Sequence, residues 1–407
     1  MAYTPPQQAC ITRHAIILAA GESKRTRPLT LQRPKPLIPL LDRPLLAHIM
    51  DQLVGLATRV TLVVGYRADM LRAFFGRTYR GMALDYVTQY AINGTAGALL
   101  AVEDAVTAGQ IAPVDGSFFL LYGDNLISQI DVVGVCQQRY SLAALPVGDP
   151  SAFGVLDVAG QRVQRIIEKP PDAPPGSLAN PGIYHFDAQV FAALHEIAPS
   201  PRGEYELTDL IALLAGQHPV GYHVCQGVWI PIGTPWDVLI ATQFLLQQRA
   251  HLAPAIDPTA HLAPDCTIEG YVQIGASSVI GAGCQIVGPA FIGAGVTVGA
   301  GCTIERSVIG SQSTTGTGCY IRNSALIDAV LPGPACMIDY SVLDMGATVG
   351  EGGALQAQHV ADVRPVAATG GLVDVTTMQQ RGVVLGQGVI VAAGQLLEAG
   401  TVVFPGA

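Results

Sequence analysis

The chain has 407 residues, half of them apolar, with a formal charge of −9 and a pI near 5.4. That length suggests two or three domains with sizeable cores. The acidic balance argues against a nucleic-acid partner. No apolar run reaches the roughly 18 residues a membrane span needs, and MAYTPPQQACITRH has no signal-peptide pattern, so a cytoplasmic protein without a membrane partner is expected.

Residues 15–20 form an apolar run that stops at Gly21, the pattern of a buried parallel strand entering a loop. The loop carries Lys24, Arg25 and Arg27, then Pro28, Pro34, Lys35 and Pro36. The chain has three lysines, Lys24, Lys35 and Lys169, and two of them lie here. Cations in a Gly- and Pro-punctuated loop after a buried strand point to a polyphosphate cradle. The run is neither a Walker loop nor GxGxxG.

This stretch resembles the signature of sugar-1-phosphate nucleotidylyltransferases, L-A-A-G-x-G-[TS]-R-x-x-P-x-T…P-K-P. Leu18, Ala19, Ala20, Gly21, Arg25, Pro28, Thr30, Pro34, Lys35 and Pro36 match. Ser23 stands where that family has a second glycine, which gives the backbone less freedom. The resemblance implies that Ala19, Ala20 and Gly21 line the nucleotide, that Arg25 clamps the β/γ-phosphates and that Lys35 neutralises charge near the α-phosphate.

Farther along, residues 45–56 read as a helix, 60–65 as a strand, 70–75 as a helix and 84–88 as a strand. That alternation predicts a parallel sheet with helices on both faces and ligands at the carboxyl ends of its strands. Gln89 and Gly94, in Gln-x4-Gly, resemble the family's base-reading element, and an amide suits a pyrimidine imide face. The Gly94–Leu99 form also occurs in guanylyltransferase relatives, so UTP or dTTP is favoured without the base being settled. FFLLY, residues 118–122, reads as a buried strand ending at Gly123–Asp124. By resemblance Asp124 is the ligand for Mg²⁺, which takes oxygen donors and shares them with phosphates.

Phe153–Gly154 and the run RIIEKP, residues 165–170, resemble the sugar-side motifs. The resemblance makes Gly154 a close contact to the sugar, Glu168 a hydroxyl ligand and Lys169 the partner of the sugar phosphate. Asn180, in N-P-G-I-Y, is a second hydroxyl ligand by the same likeness. The EYELTDL segment, residues 204–210, reads as structural. The sequence departs from the family at Trp229–Thr234, where Pro231 replaces the carboxylate or amide that would complete the metal site. Thr234, Pro235 and Asp237 read as a capping box opening a helix over 235–249.

From Ile256 apolar residues recur every six, at 262, 268, 274, 280, 286, 292, 298 and 304. That period predicts a parallel β-helix of hexapeptide type, left-handed in proteins of that family. Cys266, Cys284 and Cys302 are 18 apart, Cys319 and Cys336 follow at 17, and all five are expected to stack inward as free thiols. The register shifts after Ile304, returns at Leu343 and again at Leu385, and residues 356–381 read as an insertion.

The fold expected is therefore α/β: a Rossmann-like mixed sheet flanked by helices over 1–250, then a left-handed parallel β-helix over 251–407. The two halves together resemble archaeal-type fused UDP-N-acetylglucosamine pyrophosphorylase/acetyltransferases and long thymidylyltransferases. The activity implied is formation of an NDP-sugar and pyrophosphate from an NTP and a sugar-1-phosphate. The alternatives are a catalytically weakened regulatory homologue, favoured by Ser23 and Pro231, or a bifunctional enzyme with acyl transfer in the β-helix. No lysine follows Lys169 to hold acetyl-CoA phosphates, which favours a scaffold role for the coil. A homo-oligomer, a trimer through the β-helix or a dimer of trimers, is expected.

Overall fold

The computed structural model describes residues 12–359, 367–368 and 380–406. They fall into two compact units. The first lies within Met1–Glu22, Leu46–Pro231 and Arg364–Leu372; the second within Ser23–Leu45, Ile232–Val363 and Val373–Ala407.

The strands of the first unit that bear on the site are β1 (His14–Ala19), β2 (Arg59–Val64), β3 (Met82–Thr88), β4 (Ser117–Tyr122), β5 (Asn125–Ile127), β6 (Gly154–Ala159), β7 (Arg162–Glu168), β8 (Ile183–Asp187) and β9 (Val228–Pro231). Its helices include α1 (Leu45–Asp51), α2 (Ala68–Phe75), α3 (Thr95–Thr107) and α4 (Leu207–Gln217). The helix expected over 45–56 ends at Asp51, and short i→i+3 turns continue to Gly55, whose φ of 81° cannot extend it.

The main sheet is mixed. β4, β1, β2 and β3 lie side by side and parallel, while β8 joins β4 antiparallel and β6–β7 form an antiparallel hairpin farther out. β1 is at the centre, which is why Ala15, Ile16 and Ile17 are all buried although alternate residues face opposite sides. One face packs on α3 and α4 through Ile16, Phe118, Leu120 and Tyr184 against Leu99, Val102, Leu210 and Leu214. β9 pairs antiparallel with β5, and on its other side Val228 and Trp229 pair with Ala368 and Ala367.

The second unit is built on a parallel β-helix. One inward ladder runs Ile256, Ile274, Ile292, Ile309, Leu326, Leu343, Leu385 and Val403. From Ile274 to Leu385 these residues are buried, whereas Ile256 in the first coil is 42 % exposed, having a neighbouring coil on one side alone. The register shift after Ile304 has a local cause. Arg306, Asn323 and Tyr340 adopt positive φ at steps of 17, turning the corner with one residue fewer. Behind each comes a buried serine, and Ser307, Ser324 and Ser341 cap the next coil's backbone in a ladder.

The five cysteines stack as expected and are free thiols. Each S–H donates to a glycine carbonyl of the following coil at 3.1 Å: Cys266 to Gly281, Cys284 to Gly299, Cys302 to Gly316, Cys319 to Gly333 and Cys336 to Gly350. The expected insertion interrupts the ladder, since Leu343 pairs with Leu385 directly, and its ends, Gln358–His359 and Gln380–Arg381, pair antiparallel. Residues 360–366 and 369–379 lie outside the described residues. Helix α5 (Pro235–Gln247) opens with the capping box read from sequence, Asp237 Oδ2 accepting from the backbone of Thr234 at 2.6 Å and Gly233 at 2.8 Å.

Candidate active site

In the first unit the carboxyl end of β1 is a mouth built from bare backbone. Ala19 and Ala20 are buried there and Gly21 is exposed. Ala20 O accepts from Tyr66 N, and Leu18 O from Gly123 N. A Cβ on Gly65 would stand 2.6 Å from Ala20 O, and one on Gly123 would stand 2.7 Å from Leu18 O. Both neighbouring strand ends must therefore be glycine. Asp124 follows at the end of β4, half-buried. Its neighbour Asn125 is buried and donates Nδ2 to Pro181 O at 2.9 Å.

At the end of β3, Gln89 is buried and donates Nε2 to Asn93 Oδ1 and Gly94 O, both at 3.1 Å. The amide's donor end is thus engaged within its own loop. Gln89 also lines a cleft of about 740 Å³ with Arg72, Tyr86, Tyr90 and Tyr205. Gly94 has φ of 99°, and any Cβ there would strike the Tyr205 carbonyl. Backbone bonds join Tyr205 N to Asn93 O at 2.7 Å and Ala96 N to Tyr205 O at 2.9 Å. The EYELTDL segment is structural in a specific sense: it clamps the loop that carries Gln89 and Gly94.

A third cluster forms where β6 and β7 meet. Gly154 pairs with Glu168, and Asn180 N donates to Gly154 O at 2.8 Å. A Cβ on Gly154 would lie 3.2 Å from Glu168 Oε2 and 3.9 Å from Asn180 Cβ. Lys169 takes φ of 46° and places its ammonium 3.4 Å from Glu168 Oε1, with both side chains about half exposed. Asn180 is held at both ends: Nδ2 donates to the Tyr184 hydroxyl at 2.7 Å, and Oδ1 accepts from Gly182 N at 3.1 Å. The Tyr184 hydroxyl in turn meets that of Tyr122 at 3.2 Å. Burial pushes Tyr184 up to about 12 and Tyr122 well above the usual phenol range, so both stay neutral donors.

In the second unit the cationic loop starts at Ser23, whose φ of 55° and ψ of 51° are left-handed. Ser23 O accepts from Thr26 N at 3.1 Å and from the Thr30 hydroxyl at 3.0 Å. The glycine that the resembling signature has here is explained by that conformation. Lys24 and Arg25 are exposed. Lys35 is buried and donates Nζ to Ile232 O at 2.6 Å. Arg25 and Lys35, expected at the outer phosphates and at the α-phosphate, thus sit in different surroundings, one exposed and one enclosed.

A family model described as nucleotidyl transferase matches residues 14–248. The chain belongs to the nucleotidyl transferase family. The bifunctional protein GlmU of Methanocaldococcus jannaschii is 33 % identical over 234 residues, covering 58 % of this chain and 54 % of that protein. The UTP–glucose-1-phosphate uridylyltransferase AglF of Haloferax volcanii is 36 % identical over 209 residues, 49 % of this chain and 82 % of its own. Among solved structures, a UDP-glucose pyrophosphorylase from Acinetobacter baumanii superposes with a TM-score of 0.52 at 22 % identity, over 59 % of this chain and 95 % of that one, a likeness of fold. The match to the GlmU relative spans about half of that protein's length.

Nucleotidyl transferases of this family use a divalent metal. Here the donors at the end of β4 are one carboxylate, Asp124, an asparagine whose amide nitrogen is turned to Pro181 O, and Pro231, which offers no ligand. Among the described residues no three His, Cys, Asp or Glu side chains cluster as a metal cage. One carboxylate fits a hard cation that takes its remaining ligands from substrate phosphates and water. Sequence reasoning missed the roles of Gly65 and Tyr122, which shape or orient the site without a motif of their own, and of Tyr184, which closes the N-P-G-I-Y element but was not read as the residue that orients Asn180. Gly65 and Tyr122 were signalled by position alone, at or beside the carboxyl end of a buried strand. It also missed Arg33, whose partner lies 311 residues away.

Proposed function

We propose that this nucleotidyl transferase joins an NTP, UTP or dTTP favoured, to a sugar-1-phosphate with release of pyrophosphate. The sugar-phosphate oxygen attacks the α-phosphorus, a new P–O bond forms, and the bond to the bridging oxygen of the β-phosphate breaks. The observation that carries this reading is the meeting of Gly154, Glu168 and Asn180, from three separate segments, beside the Lys169 ammonium. A bare backbone contact, a carboxylate, a fixed amide and a cation are what a phosphorylated sugar requires.

In this reading Lys169 orients the attacking phosphate, and Glu168 and Asn180 take sugar hydroxyls. Ala19, Ala20 and Gly21 form the floor beneath the nucleotide. The backbone around Gly94 approaches the base, and Gln89 reads it through its carbonyl end. Arg25 gathers the outer phosphates, and Lys35 offsets charge at the α-phosphate. Asp124 holds Mg²⁺, which supplies charge neutralisation on the phosphate oxygens when bound. Catalysis then rests on positioning and preorganised charge.

The coil supports a homo-oligomer, a trimer through the β-helix or a dimer of trimers. Two of its rungs carry exposed apolar side chains in line, Leu331 and Ile390, the latter 76 % exposed, on either side of the half-buried Thr348 with which both are in register. Sedimentation of the full chain tests this. A cytoplasmic location accords with the nucleotide substrate.

Pyrophosphate release over a panel of NTPs and sugar-1-phosphates, with and without Mg²⁺, tests the reaction. Lys35→Ala is expected to abolish turnover in a folded protein, and Arg25→Ala to lower it by about 10²–10³. Unchanged release in Lys35→Ala removes that residue from the site, and no release from any pair overturns the reading.

A further inference from the structure

Within the second unit the cationic loop meets the β-helix through Leu41, Arg33 and Pro28. Leu41 packs in a small apolar cluster with Phe291, Val308 and Leu246. Arg33 Nη2 donates to Asp344 Oδ1 at 2.7 Å, with side chains 7 % and 2 % exposed. Pro28 rests on Gly386, where a Cβ would come within 2.9 Å of its ring. Phe291 and Val308 lie in strands of one sheet of the coil, and Asp344 and Gly386 each follow a later strand of that sheet, so the contacts span several coils.

The central contact is the unusual one. Asp344 follows the inward Leu343, and its Oδ1 also accepts from Met345 N at 2.8 Å. Arg33 Nη1 is buried with no hydrogen-bond partner among the described residues. Burial pushes the Asp344 carboxyl up while the guanidinium opposes that rise. A buried ion pair with an unsatisfied donor is a poor device for stability, since apolar side chains of similar volume do as well or better. What the pair does supply is a fixed position.

That position lies two residues from Lys35. Pro34 and Pro36 flank the lysine, and a proline ring fixes φ on each side. Leu37 N and Ile38 N then close two short turns onto Pro34 O and Lys35 O at 2.9 Å. The run from Arg33 to Ile38 is therefore stiff, and a shift at its guanidinium end moves the ammonium at its centre. We propose that Asp344 is a positioning residue: through Arg33 and the rigid Pro34–Lys35–Pro36 segment, a coil of the β-helix sets where the Lys35 ammonium stands. The kinetic part of this inference rests on the nucleotidyl-transfer reading; the structural part does not.

The test uses the full chain with Asp344→Asn and the double variant Arg33→Met/Asp344→Leu. Hydrogen exchange over residues 26–38 reads loop order, and initial rates read kcat and both KM values. Asp344→Asn is expected to speed exchange in the loop, lower kcat at least about tenfold and raise KM for the NTP, with KM for the sugar-1-phosphate held within about twofold. The double variant removes the buried charges, so it is expected to recover the melting temperature but not kcat. Wild-type kcat and KM in the double variant show a structural pair only and overturn the proposal. Unchanged loop exchange in Asp344→Asn overturns it too, whatever reaction the protein catalyses. If the wild-type chain releases no pyrophosphate from any substrate pair, the proposed function fails by itself, and the exchange measurement still decides the role of Asp344.

Discussion

Pro231 faces Asn125 across the antiparallel ribbon of β9 and β5, one residue from Asp124. A side chain at 231 therefore projects from a strand hydrogen-bonded to the one that follows the proposed metal ligand. Proline there supplies no oxygen, and Asp237, the nearest downstream carboxylate, is used as a helix cap. Pro231→Asp is expected to lower the Mg²⁺ concentration for half-maximal pyrophosphate release by about tenfold, on the scale of gaining one well-placed group at a metal site. Pro231→Ala, which restores the N–H without the carboxylate, is the control. Equal Mg²⁺ dependence in all three proteins would show that ligation at 231 does not limit the reaction.

Ser23 pays a conformational cost that glycine would not. A left-handed conformation costs an ordinary L-residue about 1–2 kcal/mol, and glycine returns about 0.5–1 kcal/mol of that through its looser unfolded chain. The bonds that hold the turn go to the Ser23 carbonyl, so Ser23→Gly keeps them. The variant is expected to gain roughly 0.5–1 kcal/mol in denaturant unfolding by the difference just set out. A loss of stability would mean that the Ser23 side chain does more for the loop than its backbone geometry indicates.

What the sequence makes legible follows from what repeats or alternates in it. β1 and β4 are apolar runs because both faces of the central strands are covered, so their carboxyl ends, and Asp124 with them, are readable. The hexads are readable because one residue in six must point inward, and Cys266 to Cys336 mark the same rung of successive coils. Contacts closed by the tertiary fold carry no such mark. Arg33 and Asp344 belong to opposite ends of the chain, and neither residue type announces its partner. Lys35 reads as a loop cation, yet it is buried because its ammonium meets Ile232 O. A mixed sheet is expected, but which strand reverses beside β4 is hidden, since β8 has the same apolar, buried character as the parallel strands.

The Asn180 amide owes its orientation to Tyr184, so the phenol can be removed without touching the proposed sugar ligand. In Tyr184→Phe, Asn180 Nδ2 loses a 2.7 Å acceptor and Tyr122 loses a 3.2 Å partner. A lost bond of this kind is worth about 1 kcal/mol, or roughly fivefold in affinity. KM for the sugar-1-phosphate is expected to rise by about that factor, with KM for the NTP and kcat little changed. An effect confined to the NTP would place Asn180 away from the sugar.

His14 makes acid stability a test of the sheet's centre. Its ring is buried at the start of β1, with Nε2 2.8 Å from the Thr61 hydroxyl. Burial first, then the nearby Arg59, lowers its pKa to about 4, against an ordinary value of 6.5, while Asp85 pulls the other way. Between those two values the unfolded chain binds the proton and the folded one does not. The neutral ring's contribution is therefore complete above pH 6.5 and declines as pH falls toward 4. From neutral pH to about pH 4.5 the loss from this one group is about 2 kcal/mol. His14→Gln keeps a hydrogen-bonding group near Thr61 but does not titrate. Denaturant unfolding at both pH values is expected to show the wild-type chain losing about 2 kcal/mol more than the variant. His185, buried and lowered in the same direction, titrates in both proteins and cancels in the difference. Parallel losses in the two would show that the ring takes up its proton equally in the folded and the unfolded chain.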